Sequence, residues 1–259
     1  LTSADIRRKI ERALAAAIAR GVDSPSKLQS FIDNDLEFAV SNTYGGQSPC
    51  VEIETGRPEY LVCDMGSGAR ALGARILADR RDALPPVINI VMSHVHWDHI
   101  MGFPFFGPAY VPGALIRIHG CHDVLEQAFR LHQSAPCFPV DFSRLTARIE
   151  FVRLHPGQRA DIAGFTVTPK LQRHTGDSYG YRFERDGKVI VYSTDSEHKL
   201  EDPAETEGFV TFFRNADLVI FDAMYSLLDA VSVKEDWGHS SNIVGVEMAQ
   251  MAAVKHLCM

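Results

Sequence analysis

The amino-acid sequence predicts an α/β fold that is rich in β-sheet, and two observations support this prediction. From residue 50 onward, short segments dominated by valine, isoleucine, tyrosine and phenylalanine alternate with turn-forming residues, which is typical of strands. Only a few stretches show apolar residues at the spacing of an amphipathic helix. Many strands with a few interspersed helices indicate a sheet-rich α/β core rather than a helix bundle.

Residues 1–36 are predicted to form a helical hairpin. Four aliphatic residues recur at four-residue spacing, as on one face of a helix: Ile6, Ile10, Leu14 and Ile18. Ser3 is the expected N-cap and Gly21 the expected end of this helix. Pro25 marks the first turn of a second, shorter helix. We interpret the hairpin as an appendage or insertion in a single domain of residues 1–259.

The remaining elements are predicted in order along the chain. Strands are expected in "CVEIE", "EYLVCDMG", "VINIVMSH", "ALIRIHG", "RIEFVRL", "FTVTPKLQ", "YGYRFER", "KVIVYSTD" and "DLVIFDA". Asp186-Gly187 is a typical hairpin turn between two of them. Helices are expected in "SGARALGARILAD" and, after a Ser240/Ser241 cap, in "NIVGVEMAQMAAV", and "KHLCM" opens a last strand.

Composition narrows the range of functions. The formal charge of -7 makes an extended nucleic-acid surface unexpected, because such surfaces concentrate Lys and Arg. The 5 cysteines are odd in number and include no CxxC pair, which argues against a disulfide framework and favours a cytoplasmic location. No apolar run approaches the roughly 20 residues of a membrane span, so no membrane association is expected.

The segment "SHVHWDH" carries the strongest chemical signal. His94 and His96 are two residues apart at the end of a strand, so their imidazoles project to the same side. Asp98 and His99 follow where the chain turns and can face a second position nearby. Imidazole and carboxylate suit Zn²⁺, Mn²⁺ or Fe, and the lack of a nearby cysteine disfavours a closed structural zinc site. The alternative is a loop of ordinary surface histidines.

The HxHxDH pattern resembles the signature of the metallo-β-lactamase superfamily. This resemblance implies an αββα sandwich of two mixed β-sheets flanked by helices, with metals at one edge of the packed sheets. It also implies a further histidine and a bridging aspartate, and His174 in "LQRHTGDSYGYRFE" and Asp195 in "VIVYSTDSEH" stand in those places. The implied cofactor is a pair of divalent ions, with zinc expected and manganese or iron as alternatives. The implied ligands are His94, His96 and His174 for one ion, Asp98 and His99 for the other, and Asp195 as the bridge.

Segments farther along resemble the branch that contains ribonuclease Z and small cyclic-nucleotide phosphodiesterases. By their places in "FDAMY" and "WGHSS", Asp222 and His239 correspond to an acid–histidine pair near the scissile phosphate. An acid that orients and charges a histidine makes it a phosphate ligand or a proton donor to the leaving oxygen. The alternatives are that His239 caps the following helix and that Asp222 forms a turn.

Other parts of the chain match this branch less completely. The segments "TYGGQSPC" and "LVCDMGSGARALG" resemble its glycine-rich loops, with Gln47 where an asparagine is usual. Asp64 is expected to support residues 94–99, which we call the metal loop. The glycines expected to serve the backbone near the site are Gly45, Gly46, Gly66 and Gly68. The family's last histidine ligand follows the final helix, and His256 stands too early for it, so the second metal site is expected to be incomplete within these residues.

The predicted function is hydrolysis by a hydroxide that two metals share. A small, cyclic nucleotide-like phosphodiester is the expected substrate, because no basic, glycine- and proline-rich insertion that could clamp tRNA is visible. The resemblance also implies a homodimer, because related enzymes are commonly dimers. The alternatives are a lactonase or thioesterase on the same scaffold, a metal-redox protein that uses iron, and a catalytically degenerate protein that binds a metal or ligand.

Overall fold

The computed structural model describes residues 2–42, 46–79, 86–225 and 238–259, in two compact units, Leu1–Ser48 and Pro49–Met259. Gly45, and Trp237 of the "WGHSS" segment, lie outside the described residues. Within the described ranges, every helix is too short or too polar to span a lipid bilayer.

The N-terminal unit is helical. It contains α1 (Ser3–Ala19), α2 (Pro25–Asn34) and a short α3 (Phe38–Ser41). Thr2, not Ser3, caps α1: its hydroxyl accepts a hydrogen bond from Asp5 N, and the Asp5 carboxylate accepts one from Thr2 N, which makes a capping box. The grouping of residues 1–259 into one domain with a helical appendage stays a prediction.

Within the described residues, the first sheet of the second unit contains five strands in the order β1-β2-β3-β4-β5. They are β1 (Val51–Ile53), β2 (Tyr60–Cys63), β3 (Ile88–Met92), β4 (Leu115–Gly120) and β5 (Arg148–Arg153). The β1 strand is antiparallel to β2, and all other pairs are parallel. Helices occur in the connections between the parallel strands: α4 (Ala69–Asp79), α5 (Trp97–Ile100) and α6 (Leu125–His132).

In the part of the chain that the structure describes, the second sheet contains six strands in the order β11-β10-β9-β8-β7-β6. They are β6 (Ala160–Ile162), β7 (Phe165–Gln172), β8 (Ser178–Arg185), β9 (Lys188–Ser193), β10 (Leu218–Phe221) and β11 (Leu257–Cys258). Strands β6 to β9 form antiparallel hairpins, whereas β9, β10 and β11 are parallel. Two helices accompany the parallel part: α7 (Pro203–Phe213) and α8 (Asn242–Met251).

Three apolar clusters join these elements into layers. The inter-sheet cluster includes Leu61, Val91, Val167, Tyr181 and Phe183. A second cluster packs β3 and β4 against α4 and α6, and a third packs β9 and β10 against α7 and α8. All five residues of β3 are buried because both of its faces are covered, which explains its unbroken aliphatic run. The αββα sandwich expected from the resemblance is confirmed.

Candidate metal centre

The predicted site residues follow the carboxyl ends of strands that run in the same direction within each sheet. His94, His96 and His99 follow β3, and His174 follows β7. Asp195 follows β9, which runs in the same direction as β7 because β8 is antiparallel to both. Strand ends of one direction share one edge of a sheet, so residues distant in sequence meet there.

Four imidazoles and one carboxylate converge at this edge. The ring of His94 lies 4.5 Å from that of His96, 4.1 Å from that of His99 and 4.9 Å from that of His174. Asp195 lies among them, with its Oδ2 atom 3.6 Å from His94 Nε2, 3.2 Å from His99 Nε2 and 3.8 Å from His174 Nε2. One carboxylate oxygen thus faces three ring nitrogens.

The donor atoms of this cluster fit a divalent metal ion. Two groups have all their ligand atoms within 4.8 Å of one another: His94 with His96 and His174, and His94 with His99 and Asp195. His94 Nε2 and His99 Nε2 are buried and neither makes a hydrogen bond of acceptable geometry among the described residues. Buried polar atoms without a partner are costly, and a cation would satisfy both. Imidazole and carboxylate donors without thiolate suit Zn²⁺, Mn²⁺ or Fe.

Asp64 holds the metal loop from beneath. Its carboxylate is fully buried and accepts hydrogen bonds from Ser93 N (2.7 Å), Ser93 Oγ (2.7 Å), Tyr192 OH (2.7 Å) and His99 Nδ1 (2.9 Å). The bond to Nδ1 turns His99 Nε2 toward Asp195. The backbone of Asp64 adopts a positive φ of 59°, a strained conformation that these bonds stabilise.

The environment sets the protonation of the cluster in its metal-free form. Burial lowers the pKa of His94 to about 2, so its ring is neutral. Because Ser93 Oγ donates to Asp64, it accepts from His94 Nδ1 at 3.0 Å, which leaves the lone pair on Nε2, the atom that faces Asp195. Burial opposes charge on His99 as well, but the Asp64 and Asp195 carboxylates outweigh it and raise the pKa of His99 to about 10. Metal binding at His99 would therefore release a proton.

His174 is oriented by contacts that the sequence did not indicate. Its Nδ1 donates to the Gly238 carbonyl at 2.8 Å, which directs Nε2 into the cluster, 3.1 Å from His96 Nδ1. Gly238 has a φ of 80°, and a Cβ atom there would lie 2.5 Å from His174 Nδ1, so only glycine fits.

His122 braces the loop that carries His174. Its Nε2 donates to the carbonyls of Asp177 (3.1 Å) and Gly176 (3.3 Å), and its ring packs edge-on against Tyr179 at 5.0 Å. The sequence offered one signal for this role: His122 closely follows β4, at the same edge of the sheet as the metal loop.

Asp222 and His239 form a pair beside the cluster. His239 Nδ1 lies 2.7 Å from Asp222 Oδ2, and the His239 ring lies 5.1 Å from that of His174. Asp222 also accepts hydrogen bonds from Ser196 N (3.2 Å) and Met224 N (3.1 Å), so it serves a turn as well as the histidine. The hydrogen bond to Asp222 raises the pKa of His239.

The alternative reading of His239 as a helix cap is wrong. The helix after it, α8, is capped by Ser241, whose hydroxyl accepts from Val244 N. A ring nitrogen of His239 instead lies within 4.8 Å of ligand atoms of His174 and Asp195.

Asp98 lies at the edge of the cluster, whereas His256 belongs to the second sheet. The Asp98 side chain is 55% exposed, and its Oδ2 atom lies 3.6 Å from His99 Nε2, so it reaches the rim of the site. His256 lies just before β11, and its carbonyl accepts from Val219 N in the sheet. The backbone of Gly66 packs closely against Gly102, where a Cβ atom would lie 1.9 Å from the Gly66 carbonyl oxygen, so position 102 requires glycine.

Comparison with known proteins identifies the family of this chain. The family described as "Beta-lactamase superfamily domain" matches residues 60–259. The chain belongs to the metallo-β-lactamase superfamily of hydrolases. It is 24% identical over 255 residues to ribonuclease Z of Bradyrhizobium sp. (strain ORS 278), a match covering 81% of this chain and 77% of that protein.

Two solved structures share the fold. The metallo-β-lactamase fold protein YhfI from Bacillus subtilis superposes with a TM-score of 0.62 at 22% identity, over 83% of this chain and 80% of that one. The short form of human tRNase Z superposes with a TM-score of 0.52 at 18% identity, over 82% and 86%.

Proposed function

We propose that this protein is a metal-dependent hydrolase of phosphodiesters. The observation that carries the proposal is the His239–Asp222 pair beside the five converging donors, with its ring 5.1 Å from that of His174. A donor cluster alone would serve many hydrolases, whereas a histidine charged by a carboxylate adds a partner for an anionic substrate.

The ligands would divide between two positions. His94, His96 and His174, whose ligand atoms lie within 4.8 Å of one another, would hold one ion. Asp98 and His99, with Asp98 Oδ2 3.6 Å from His99 Nε2, would hold the second, with Asp195 shared. Divalent ions so held supply a Lewis acid for the phosphoryl oxygen and a water of lowered pKa as the nucleophile. Asp64 and Gly238 keep the ring nitrogens aimed, because each accepts a hydrogen bond from the far nitrogen of a ligand imidazole.

His239 acts on the phosphate and its leaving group. With Nδ1 bonded to Asp222, its Nε2 is the nitrogen free to donate to a phosphate oxygen or to protonate the departing alkoxide. Asp222 is fixed by the amides of Ser196 and Met224, so the imidazole is held in one orientation before substrate arrives. Fixed donors of this kind stabilise developing charge without reorganisation.

Two kinds of phosphodiester are to be compared as substrates. The net charge of -7 and the absence of a basic insertion in the sequence favour a small phosphodiester. Similarity to ribonuclease Z of Bradyrhizobium favours RNA. Both contain the same linkage, and the residues above act on that linkage alone.

The test is a substrate panel with metal-loaded protein. We expect hydrolysis of bis-p-nitrophenyl phosphate and of either a cyclic nucleotide or a precursor tRNA, with no turnover of an acyl lactone. Asp222→Asn should lower kcat by about 10²- to 10⁴-fold, the usual contribution of general acid–base catalysis. Hydrolysis of the lactone with no cleavage of any phosphodiester would overturn the proposal.

A further inference from the structure

A groove adjoins the candidate metal centre on the outer side of the second sheet. It lies between the end of β7 and the first half of α7, and we call it the β7–α7 groove. Its volume is about 490 Å³, and His174 forms part of its wall. Small-molecule sites occupy about 300–1,000 Å³, so the groove is large enough for a nucleotide-sized group. A substrate with its phosphate at the metal ligands could extend past His174 into this space.

Two cations line the groove without forming ion pairs. Among the described residues, neither Lys170 nor Arg173 has a carboxylate within 4.0 Å, although the chain is acidic overall. The Lys170 ammonium lies 4.6 Å from the centroid of the Phe209 ring, which holds it on the groove wall. The Arg173 side chain is exposed, and its backbone is fixed because its carbonyl accepts from Glu197 N at 2.8 Å. The planar guanidinium of Arg173 can donate two parallel hydrogen bonds to the oxygens of one phosphate.

The other walls add apolar surface and hydrogen-bond acceptors. Leu171 is 48% exposed and gives the groove an apolar wall. The carboxylates of Asp177 and Glu205 also line the groove and can accept hydrogen bonds from hydroxyl or amino groups. Anion, apolar ring and hydroxyl are the three chemical parts of a nucleotide.

A glycine within α7 keeps the groove open. Gly208 lies in the interior of this helix, where glycine costs about 1 kcal/mol relative to alanine. Its own packing does not require glycine, because the nearest atom to an added Cβ would be Lys170 Nζ at 3.4 Å, an ordinary contact. A larger side chain at this position would instead project into the groove.

We propose that the β7–α7 groove binds the nucleotide portion of the substrate next to the scissile bond. In a substrate with more than one phosphate, Arg173 and Lys170 contact the phosphate next to the scissile one, and AMP places its single phosphate there. Leu171 packs against the base, and the two carboxylates accept from the ribose or the base. The inference rests on the proposed function for its substrate, and its test uses binding rather than turnover.

The test measures binding of AMP and of inorganic phosphate to the zinc-loaded full chain by isothermal titration calorimetry. Arg173→Ala should weaken AMP binding about 10- to 100-fold, as loss of a charged hydrogen bond does. Gly208→Leu should weaken it comparably by filling the groove, and circular dichroism checks that this variant is folded. The residues of the metal centre can bind inorganic phosphate without the groove. The dissociation constant of inorganic phosphate should therefore change less than about twofold in both variants.

Arg159→Ala is the matched control, because Arg159 is also an exposed arginine and lies outside the groove. It should leave AMP binding unchanged. No AMP binding by the wild type, or equal losses for AMP and phosphate in both variants, would overturn the inference. If the wild type binds AMP in the groove but hydrolyses no phosphodiester, the proposed function fails and the nucleotide site stands.

Discussion

Replacing Gly238 by alanine should lower the zinc affinity as well as the free energy of unfolding. Gly238 has a φ of 80°, and its carbonyl accepts the hydrogen bond that orients His174. An alanine Cβ would lie 2.5 Å from His174 Nδ1 and 3.2 Å from His174 Cα, so the histidine or the segment of residue 238 must move. Either movement turns Nε2 away from the other ligand atoms.

The expected magnitude has two parts. Alanine in the left-handed region costs about 1–2 kcal/mol, and loss of the 2.8 Å hydrogen bond adds about 0.5–1.5 kcal/mol. Loss of the group that orients a metal-bound histidine usually lowers metal affinity by about 10- to 100-fold. Zinc affinity should therefore fall by that factor, beyond the loss of stability.

Gly187→Ala is the control for this change. Gly187 also has a positive φ, 71°, but an added Cβ would have nothing within 4 Å of it. In this variant the free energy of unfolding should fall only by the cost of alanine in the left-handed region, about 1–2 kcal/mol. Its zinc affinity should equal that of the wild type. Zinc affinity is measured by competition with a chromogenic chelator, and stability by urea unfolding. Wild-type zinc affinity in Gly238→Ala would refute the assigned orientation of His174.

Further predictions concern other supports of the site and fold. His122→Ala should weaken zinc binding and His122→Gln should restore part of it, since an amide can still donate to the loop carbonyls; His155→Ala, an exposed histidine, should do neither. Tyr192→Phe should lower the free energy of unfolding by about 1–2 kcal/mol in urea denaturation, because Asp64 loses one buried donor; no loss would contradict this. The pKa of Asp217 is lowered by hydrogen bonds from a lysine ammonium and an amide, so Asp217→Asn should destabilise the protein at pH 7. The urea midpoints should converge as the pH falls below the ordinary aspartate pKa of about 3.9, and a constant difference would refute this pH dependence.

Local patterns predicted much of the fold and the core of the site. The buried strand before His94 and the ligand spacing after it lie within one short segment, so periodicity and residue chemistry sufficed. The β8–β9 turn at Asp186-Gly187 was predicted for the same reason, since both residues adopt the positive φ that such turns need. Five elements were not predicted: α3, α5, β6, α6 and α7. The helices α3 and α5 have only 4 residues each. The β6 strand has only 3 residues, and α6 is an 8-residue helix without a side-chain cap. In α7, Asp202 and Pro203 did form a start signal that could have been read.

Contacts between distant residues could not be predicted this way. Tyr192 and Asp64 are 128 positions apart, and His174 and Gly238 are 64 apart. Nothing in the residues around Tyr192 distinguishes it from any other buried aromatic residue on a strand. These two hydrogen bonds form only when the sheets pack and bring their strand ends together, so the sequence alone does not reveal them.

If metal held by this cluster drives phosphodiester hydrolysis, the rate must depend on both the metal and Asp195. The initial rate of bis-p-nitrophenyl phosphate hydrolysis is followed in wild-type protein and in Asp195→Ala, after chelation and again after stoichiometric addition of zinc or manganese. We predict that chelation abolishes the wild-type rate, that added metal restores it, and that Asp195→Ala stays inactive although folded. A wild-type rate that survives chelation, or an Asp195→Ala variant with undiminished activity, would contradict the claim.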